Sequence, residues 1–183
     1  MSRENDSPLK RWTLPGLIFL LAFLPRALYP VSRTMLWYRR AIYFGDALLA
    51  KNWAETYQTY HPGVMTMWLS GIGIKALAWK RSLSSPQLLG AEPTIPGTVN
   101  DAITAGVVPL ALVIALCVVL AYFLLKRLTT DRVAFVSGCL MAIDPFLLTH
   151  SKVLHVDGLL AMLMVTSALF LPVSYTHLRA HET

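Results

Sequence analysis

Apolar residues gather in four long stretches separated by polar segments, and this alternation predicts helices that cross a membrane. The second stretch, AITAGVVPLALVIALCVVLAYFLL, contains no charged residue. The pattern therefore predicts an all-α fold, a polytopic bundle of membrane helices. The predicted spans cover about residues 12–31, 102–125, 133–148 and 157–172.

The long segment 32–100 lies between the first two predicted spans and has a weaker apolar pattern. Apolar residues recur near helical spacing in YRRAIYFGDALLAKNWAETY and again in HPGVMTMWLSGIGIKALAWK. We expect two amphipathic helices that lie along the membrane surface. A short or re-entrant span is the alternative for the second of them.

Composition agrees with a membrane protein, since 55% of the residues are hydrophobic and only 14% are charged. Soluble domains carry about 25% charged residues. The formal net charge is +6, and Lys and Arg flank the predicted spans. No basic stripe alternates with exposed aromatic residues, so membrane lipids are expected as partners and nucleic acid is not.

Basic residues also predict the orientation of the chain. Lys10 and Arg11 precede the first span, and the basic segment KRLTTDR joins the second span to the third. Cytoplasmic loops are enriched in Lys and Arg. We therefore expect a cytoplasmic N-terminus and an external loop 32–100, with HSKVLHVD on the same external side.

The C-terminal segment breaks the apolar pattern abruptly. Residues 173–183, VSYTHLRAHET, resemble a translated sequencing adapter and are expected to be a non-native tail. His177 and His181 are therefore not interpreted as metal ligands. Residues 1–172 are then expected to be the N-terminal part of a longer membrane protein, inactive when alone.

Ionisable residues concentrate where the third predicted span gives way to the fourth, in LTHSKVLHVDGLL. A charged group at membrane depth is costly and marks a functional site. Asp157 could bind a divalent cation, accept a proton, pair with Lys152, or cap the helix that follows. Lys152 and His155 suit a phosphate group, and solvated interfacial positions are their alternative.

Two segments outside that cluster also suit a phosphate. His61 stands before Pro62, which suits a first helical position, and a helix N-terminus favours anions. Arg39 and Arg40 offer bidentate donors, or they anchor the chain at lipid headgroups. Asp144 precedes Pro145 and is expected to lie at a helix end.

The order of these parts resembles the N-terminal portion of the GT-C membrane glycosyltransferases that use polyprenyl-phosphate sugars. The resemblance rests on HPGVMTMWL, a span, a basic turn, and DPFLLTHSKVLHVDGLLA. Lipid A aminoarabinose transferases and protein O-mannosyltransferases, together with glycosyltransferase 39-like proteins, are the similar groups. The resemblance implies transfer of a sugar to a lipid, glycan or protein acceptor on the external face of a bacterial inner membrane.

The resemblance also implies roles for individual residues. Asp157 matches the family's acidic residue at the start of the fourth span, which acts as catalytic base or binds a divalent metal, Mg or Mn. His61 and Arg40 match residues that contact the donor phosphate in the family. Lys152 and His155 are expected to bind the same phosphate. The family's acidic residue after the first span has no counterpart in LWYRR, and the nearest downstream acids are Asp46 and Glu55.

The sequence is also compatible with a non-catalytic role. The chain could belong to a membrane protein or transporter that binds a lipid-linked or anionic ligand. Transporter sites tend to lie at the bilayer midplane on broken helices. The polar residues here lie at predicted span ends, which favours the transferase.

Overall fold

A computed structural model describes residues 8–28, 35–58, 63–84 and 99–180. Every element in these ranges is helical, which confirms the predicted all-α class. The elements are α1 (Pro8–Ala27), α2 (Met35–Leu49), a 3-10 turn (Trp53–Thr56), α3 (Val64–Ser84), α4 (Val99–Leu128), α5 (Asp131–Ile143), α6 (Pro145–Ser151) and α7 (Asp157–Ala180).

Within these ranges, two helices are long and apolar enough to cross a membrane, over Asp101–Leu128 and Asp157–Tyr175. They correspond to the second and fourth predicted spans. The third corresponds to α5 and α6, which together would make one span bent by 48°. The apolar part of α1, Trp12–Ala27, is shorter than the predicted first span.

Helix α4 lies at the centre of the bundle and packs against α1, α3, α5 and α7. Its inward faces are apolar and fully buried, as at Val107, Ala111 and Val118. Small residues let neighbouring backbones come close: a side-chain carbon at Gly73 of α3 would lie 1.9 Å from the carbonyl oxygen of Ala105. Close approach through small residues is how membrane helices gain packing energy without a hydrophobic driving force between them.

The bundle has two distinct ends. At one end Trp12 of α1 meets Phe123 edge to face, with ring centroids 6.1 Å apart. Lys126 forms an ion pair with Asp131 at 3.3 Å across the turn to α5. We call this the basic end. It contains the segment KRLTTDR, and the sidedness predicted from its charges stays a prediction.

The opposite end, which we call the site end, contains the break between α5 and α6. Pro145 disfavours helical backbone at Asp144, so α5 stops at Ile143. Asp144 then caps α6 by accepting a hydrogen bond from Leu147 N at 2.7 Å, as its expected helix-end position predicts. The predicted third span therefore turns sharply before it ends.

Arg26, near the end of α1, donates a hydrogen bond to the backbone at the break between α5 and α6. Its side chain is fully buried, and its NH1 donates to Ala22 O and to Ala142 O, each at 2.7 Å. In an unbroken helix the amide of Phe146 would serve Ala142 O, but the bend removes that donor. The guanidinium of Arg26 takes its place.

Two helices occupy the loop where two amphipathic helices were predicted. Helix α2 packs on α3, and α3 packs on α4. Helix α2 ends in a Schellman motif in which Asn52 N donates to Ala47 O at 2.9 Å and Lys51 adopts a φ of 56°. Helix α3 is not among the described candidate spans, and its position along the membrane surface stays a prediction.

Candidate functional site

Asp157 lies at the site end, as the first residue of α7. Val156 O accepts the first hydrogen bond of the helix, from Leu160 N at 3.0 Å, so Val156 occupies the N-cap position. Asp157 is therefore in the first turn, where the helix dipole favours its negative charge, rather than at the cap itself. Just over half of its side chain is exposed, which leaves the carboxylate accessible.

His155 packs against Asp157 from the connection between α6 and α7. Its Nδ1 lies 2.9 Å from Oδ2 of Asp157, close enough for an ion pair when the ring is protonated. The approach lacks the angle of a hydrogen bond, and Nδ1 has no hydrogen-bond partner among the described residues. The two side chains are therefore in contact without forming a hydrogen bond.

Trp37 of α2 connects this pair to Arg40. The rings of Trp37 and His155 meet edge to face with centroids 5.5 Å apart. The guanidinium carbon of Arg40 lies 5.0 Å from the centroid of the Trp37 ring, at cation–π distance. The fold therefore brings together Arg40, His155 and Asp157, three of the predicted site residues, through Trp37, which sequence reasoning did not select. We call these four residues the array.

The chain that leads into α3 reaches the same place. A side-chain carbon at Gly63 would lie 2.1 Å from the Trp37 ring, so only glycine fits there. His61, a predicted phosphate contact, lies outside the described residues. The glycine two positions after it is what the structure places against the array.

Lys152 follows α6 as its C-terminal cap residue. Its amide donates to Leu148 O at 3.1 Å and to Thr149 O at 3.3 Å, and its side chain is half-buried. The predicted Lys152–Asp157 pair is not among the ion pairs of the described residues, where Asp157 meets His155 instead. Lys152 thus stands near the array in sequence without a described contact to it.

A lateral groove opens on the other side of Asp157, between α5, α6 and α7; we call it the α5–α7 groove. Its volume is about 560 Å³. A side-chain carbon at Gly158 would lie 3.0 Å from Cα of Ser151, so a glycine allows α6 to pack against the first turn of α7. The groove is lined by Leu140, Met141, Asp144, Phe146, Leu147, His150, Asp157, Gly158, Ala161, Met162 and Val165.

Two polar residues accompany Asp157 in this groove. Asp144 supplies a second carboxylate, and His150 packs its ring against Phe146 with centroids 4.4 Å apart. Asp144 was expected only at a helix end. Its position one residue before Pro145 was the signal that could have placed it in the groove, because Pro145 bends the chain between α5 and α6.

Asp46 and Glu55, the acids nearest in sequence to the missing family residue, lie elsewhere. Asp46 forms an ion pair with Lys75 of α3. Both acids line a separate cavity of about 490 Å³ beside α2 and the 3-10 turn. Asp144 is therefore the acid that shares a cavity with Asp157.

Buried polar atoms without a partner concentrate at the site end. Among the described residues they are Arg26 Nε and NH2, Tyr38 Oη, Thr66 Oγ1, Ser70 Oγ and His155 Nδ1. Burial raises the pKa of Tyr38, so its hydroxyl keeps its proton and remains a donor. Buried polar groups normally find partners, and ordered water molecules often supply them.

The described side chains offer few ligands for a metal ion. No three His, Cys, Asp or Glu residues in the described part of the chain converge as a metal site. Mg²⁺ is often held by one or two carboxylates together with substrate phosphate and water. Metal binding at Asp157 stays a prediction, and no chemical step below depends on it.

A family model described as dolichyl-phosphate-mannose-protein mannosyltransferase matches residues 107–182. The match supports a glycosyltransferase of the GT-C type. It spans most of α4 and all of α5 and α6, and it includes Lys152, His155 and Asp157. It covers less than half of the chain, and no curated protein or solved structure shows a significant match.

The matched region also includes most of the C-terminal segment that was expected to be non-native. Helix α7 continues through that segment to Ala180. Neither observation tests the origin of residues 173–183. The expectation of a non-native tail stays a prediction.

Proposed function

We propose that this chain takes part in transferring a sugar from a polyprenyl-phosphate-linked donor to a hydroxyl group of a lipid, glycan or protein. The observation that carries the proposal is the array Arg40–Trp37–His155–Asp157. Two of its members, His155 and Asp157, lie within the segment that matches the mannosyltransferase family. The proposal places the reaction on the external face of a bacterial inner membrane.

Donor binding is assigned to the basic members of the site. Arg40 is half-buried and held over Trp37, so its planar guanidinium is oriented before a ligand arrives. His155 and Lys152 supply further donors; Nδ1 of His155 faces Asp157 at 2.9 Å, which leaves Nε2 for the phosphate. Together with His61, these groups would bind the phosphate and stabilise it as a leaving group.

Asp157 is assigned the role of base. Its carboxylate accepts the proton of the acceptor hydroxyl while that oxygen attacks the anomeric carbon. The bond between this carbon and the phosphate oxygen breaks, and its electron pair leaves with the polyprenyl phosphate. A single displacement of this kind inverts the anomeric centre, as the resemblance implies.

Position within the bundle separates this proposal from the transporter alternative. The array lies at helix ends, where α7 begins and α6 has just ended. A phosphate anchored by a polyprenyl chain would meet the protein at such a height. An ion or solute crossing the membrane would instead meet polar groups near the middle of the spans.

Binding of polyprenyl phosphate to the chain in lipid nanodiscs tests the donor assignment, with polyprenol of the same length as comparison. We expect the phosphate to bind better than the alcohol. Arg40→Ala should weaken phosphate binding by about tenfold, since a charged hydrogen bond contributes about 1.5–3 kcal/mol. Arg127→Ala, at the basic end, is the matched control and should leave binding unchanged.

Equal binding of phosphate and alcohol, or equal effects of the two arginine variants, would contradict the assignment. Transfer itself is measured in membranes with the longer protein to which residues 1–172 are expected to belong, which we call the natural gene product. Adding EDTA to that assay tests metal dependence separately: loss of transfer that Mg²⁺ or Mn²⁺ restores would support the metal prediction. Unchanged transfer would remove the metal from the proposal.

A further inference from the structure

We propose that the α5–α7 groove binds the acceptor, and that this acceptor is a membrane-embedded amphiphile with a hydroxyl-bearing headgroup that has no negative charge. The inference rests on the proposed function and adds the substrate class of the second reactant. It follows from the shape, the charge and the position of the groove relative to Asp157.

The shape of the groove suits a hydrocarbon chain. Asp157, Ala161 and Val165 recur every four residues along α7, so they form one face of that helix. This face begins at the carboxylate and continues along a helix that is apolar and long enough to span a membrane. A chain lying in the groove would run parallel to α7, with its headgroup at Asp157.

The volume of about 560 Å³ lies within the range of ligand sites in proteins, which is roughly 300–1,000 Å³. Its walls away from the rim are apolar, from Leu140 and Met141 of α5 to Met162 of α7. One wall of the groove is α7, which is long and apolar enough to span a membrane. In a bilayer, lipid chains would then lie beside that wall.

The charge at the rim is opposite to that of the donor side. Asp144, His150 and Asp157 are the ionisable residues that line the groove, whereas Arg40, Lys152 and His155 do not line it. A phosphate headgroup here would face two carboxylates. A hydroxyl or ammonium group would instead donate hydrogen bonds to them, and such complementarity sets specificity.

Asp157 is the residue shared by the two sides. One side meets His155, through the 2.9 Å approach of Oδ2 to Nδ1, and the other lines the groove. A base must reach the acceptor hydroxyl while the donor phosphate stays on the cationic side. The geometry therefore separates the two reactants and places the proton acceptor between them.

The test uses the 183-residue chain in nanodiscs and three single-chain amphiphiles with different headgroups. Sphingosine is cationic and hydroxylated, hexadecylglycerol is neutral and hydroxylated, and hexadecyl phosphate is anionic. Binding is measured by native mass spectrometry at matched lipid content. We expect the first two to bind, and hexadecyl phosphate to bind at least about tenfold more weakly, because like charges repel strongly in a partly desolvated site.

Two tryptophan substitutions locate the binding. Ala161→Trp fills the groove and should weaken sphingosine and hexadecylglycerol binding by about tenfold or more, a loss of 1.4 kcal/mol per factor of ten. Ser167→Trp adds similar bulk at an exposed position on a different face of α7, outside the groove, and should have no effect. Asp144→Asn should weaken sphingosine more than hexadecylglycerol, since only sphingosine is charged.

Three results would overturn the proposal. The first is equal binding of all three amphiphiles, the second is binding that Ala161→Trp does not change, and the third is no binding at all, as when a second copy of the chain covers the groove. If Ala161→Trp abolished the binding of polyprenyl phosphate, the groove would belong to the donor instead.

The outcome is separable from that of the proposed function. The Arg40 assay uses only the donor, and the groove assay uses none. Selective binding of hydroxylated amphiphiles together with failed donor binding would leave a lipid site without a transferase. In the natural gene product, Ala161→Trp should raise KM for the acceptor and leave donor binding unchanged.

Discussion

The two ends of this bundle contain similar residues that are used differently. At the basic end, Lys126 and Asp131 pair across a tight turn, and both are exposed. At the site end, His155 approaches Asp157 and also contacts Trp37, a residue of α2 more than a hundred positions earlier in the chain. Charge at the first end fits a role in topology, whereas at the second it is organised by distant elements.

Hydrogen bonding shows the same contrast. Thr129 and Thr130 at the basic end bond to nearby backbone in their own turn. At the site end, six buried side-chain atoms of Arg26, Tyr38, Thr66, Ser70 and His155 lack partners within the described residues. A folded chain tolerates such groups where function needs them, so the contrast separates a structural end from a chemical one.

The largest difference between the two ends is expected for their carboxylates. Asp157→Asn should lower sugar transfer by about a hundredfold or more, the usual scale for losing a positioned acid–base group. The variant keeps the shape of the side chain and loses only a small dipole contribution at the start of α7. Asp131→Asn, its counterpart in the first turn of α5, should stay close to the unsubstituted rate.

Transfer from a polyprenyl-phosphate sugar is measured in membranes that contain equal amounts of each variant. Near-normal turnover of Asp157→Asn would remove Asp157 from the mechanism. Asp144 would then be the next residue to test, because it lines the same groove.

The arginines should differ in their effect on stability. Arg26→Met removes the donor to Ala142 O and leaves a buried carbonyl unsatisfied, at a cost of about 1–3 kcal/mol. Arg132→Met changes an exposed residue at the basic end and should alter the unfolding free energy by about 0.5 kcal/mol or less. Unfolding in mixed micelles measures both, and equal values would show that Arg26 does not stabilise the bend.

Aromatic contacts offer a finer comparison. Trp37→Leu removes the edge contact with His155 and the cation–π contact with Arg40, which together are worth about 1–2 kcal/mol. Donor binding should therefore weaken by about tenfold. Trp12→Leu removes a similar edge contact at the basic end and should leave donor binding unchanged. If both variants weaken polyprenyl phosphate binding alike, Trp37 acts through general packing.

The smallest difference concerns the caps of the two helices that follow the turn and the bend. Asp144 accepts from Leu147 N at 2.7 Å, and Thr130 accepts from Val133 N at 3.4 Å. Asp144→Ala should cost about 1 kcal/mol and Thr130→Ala about 0.5 kcal/mol, because the longer bond is weaker. Thermal unfolding of the chain in detergent measures both, and the reverse order would contradict the geometry.

Hydrophobic pattern alone predicted the helical class and the second and fourth candidate spans. It did so because uninterrupted apolar stretches have few alternatives in a membrane. The third span was predicted as one segment over 133–148 with Asp144 at a helix end, and the bend that Asp144–Pro145 signals was not predicted. The first span was predicted to end at about residue 31, whereas α1 ends at Ala27.

The site was predicted in part. Local sequence placed His155 and Asp157 together because only Val156 separates them along the chain. It could not place Arg40 beside them, since that contact depends on how α2 and α3 pack against α4. Trp37 was missed for the same reason: an aromatic residue next to two arginines is typical of any membrane interface.

The hydrogen bond between Arg26 and Ala142 O has a consequence for the barrier properties of the membrane. A broken helix ordinarily exposes carbonyl groups that draw water into the hydrocarbon region. Here the carbonyl at the break accepts from a side chain of the same protein at 2.7 Å. The carbonyl of Ala142 therefore needs no water molecule as its partner, and the bend does not draw water to this atom.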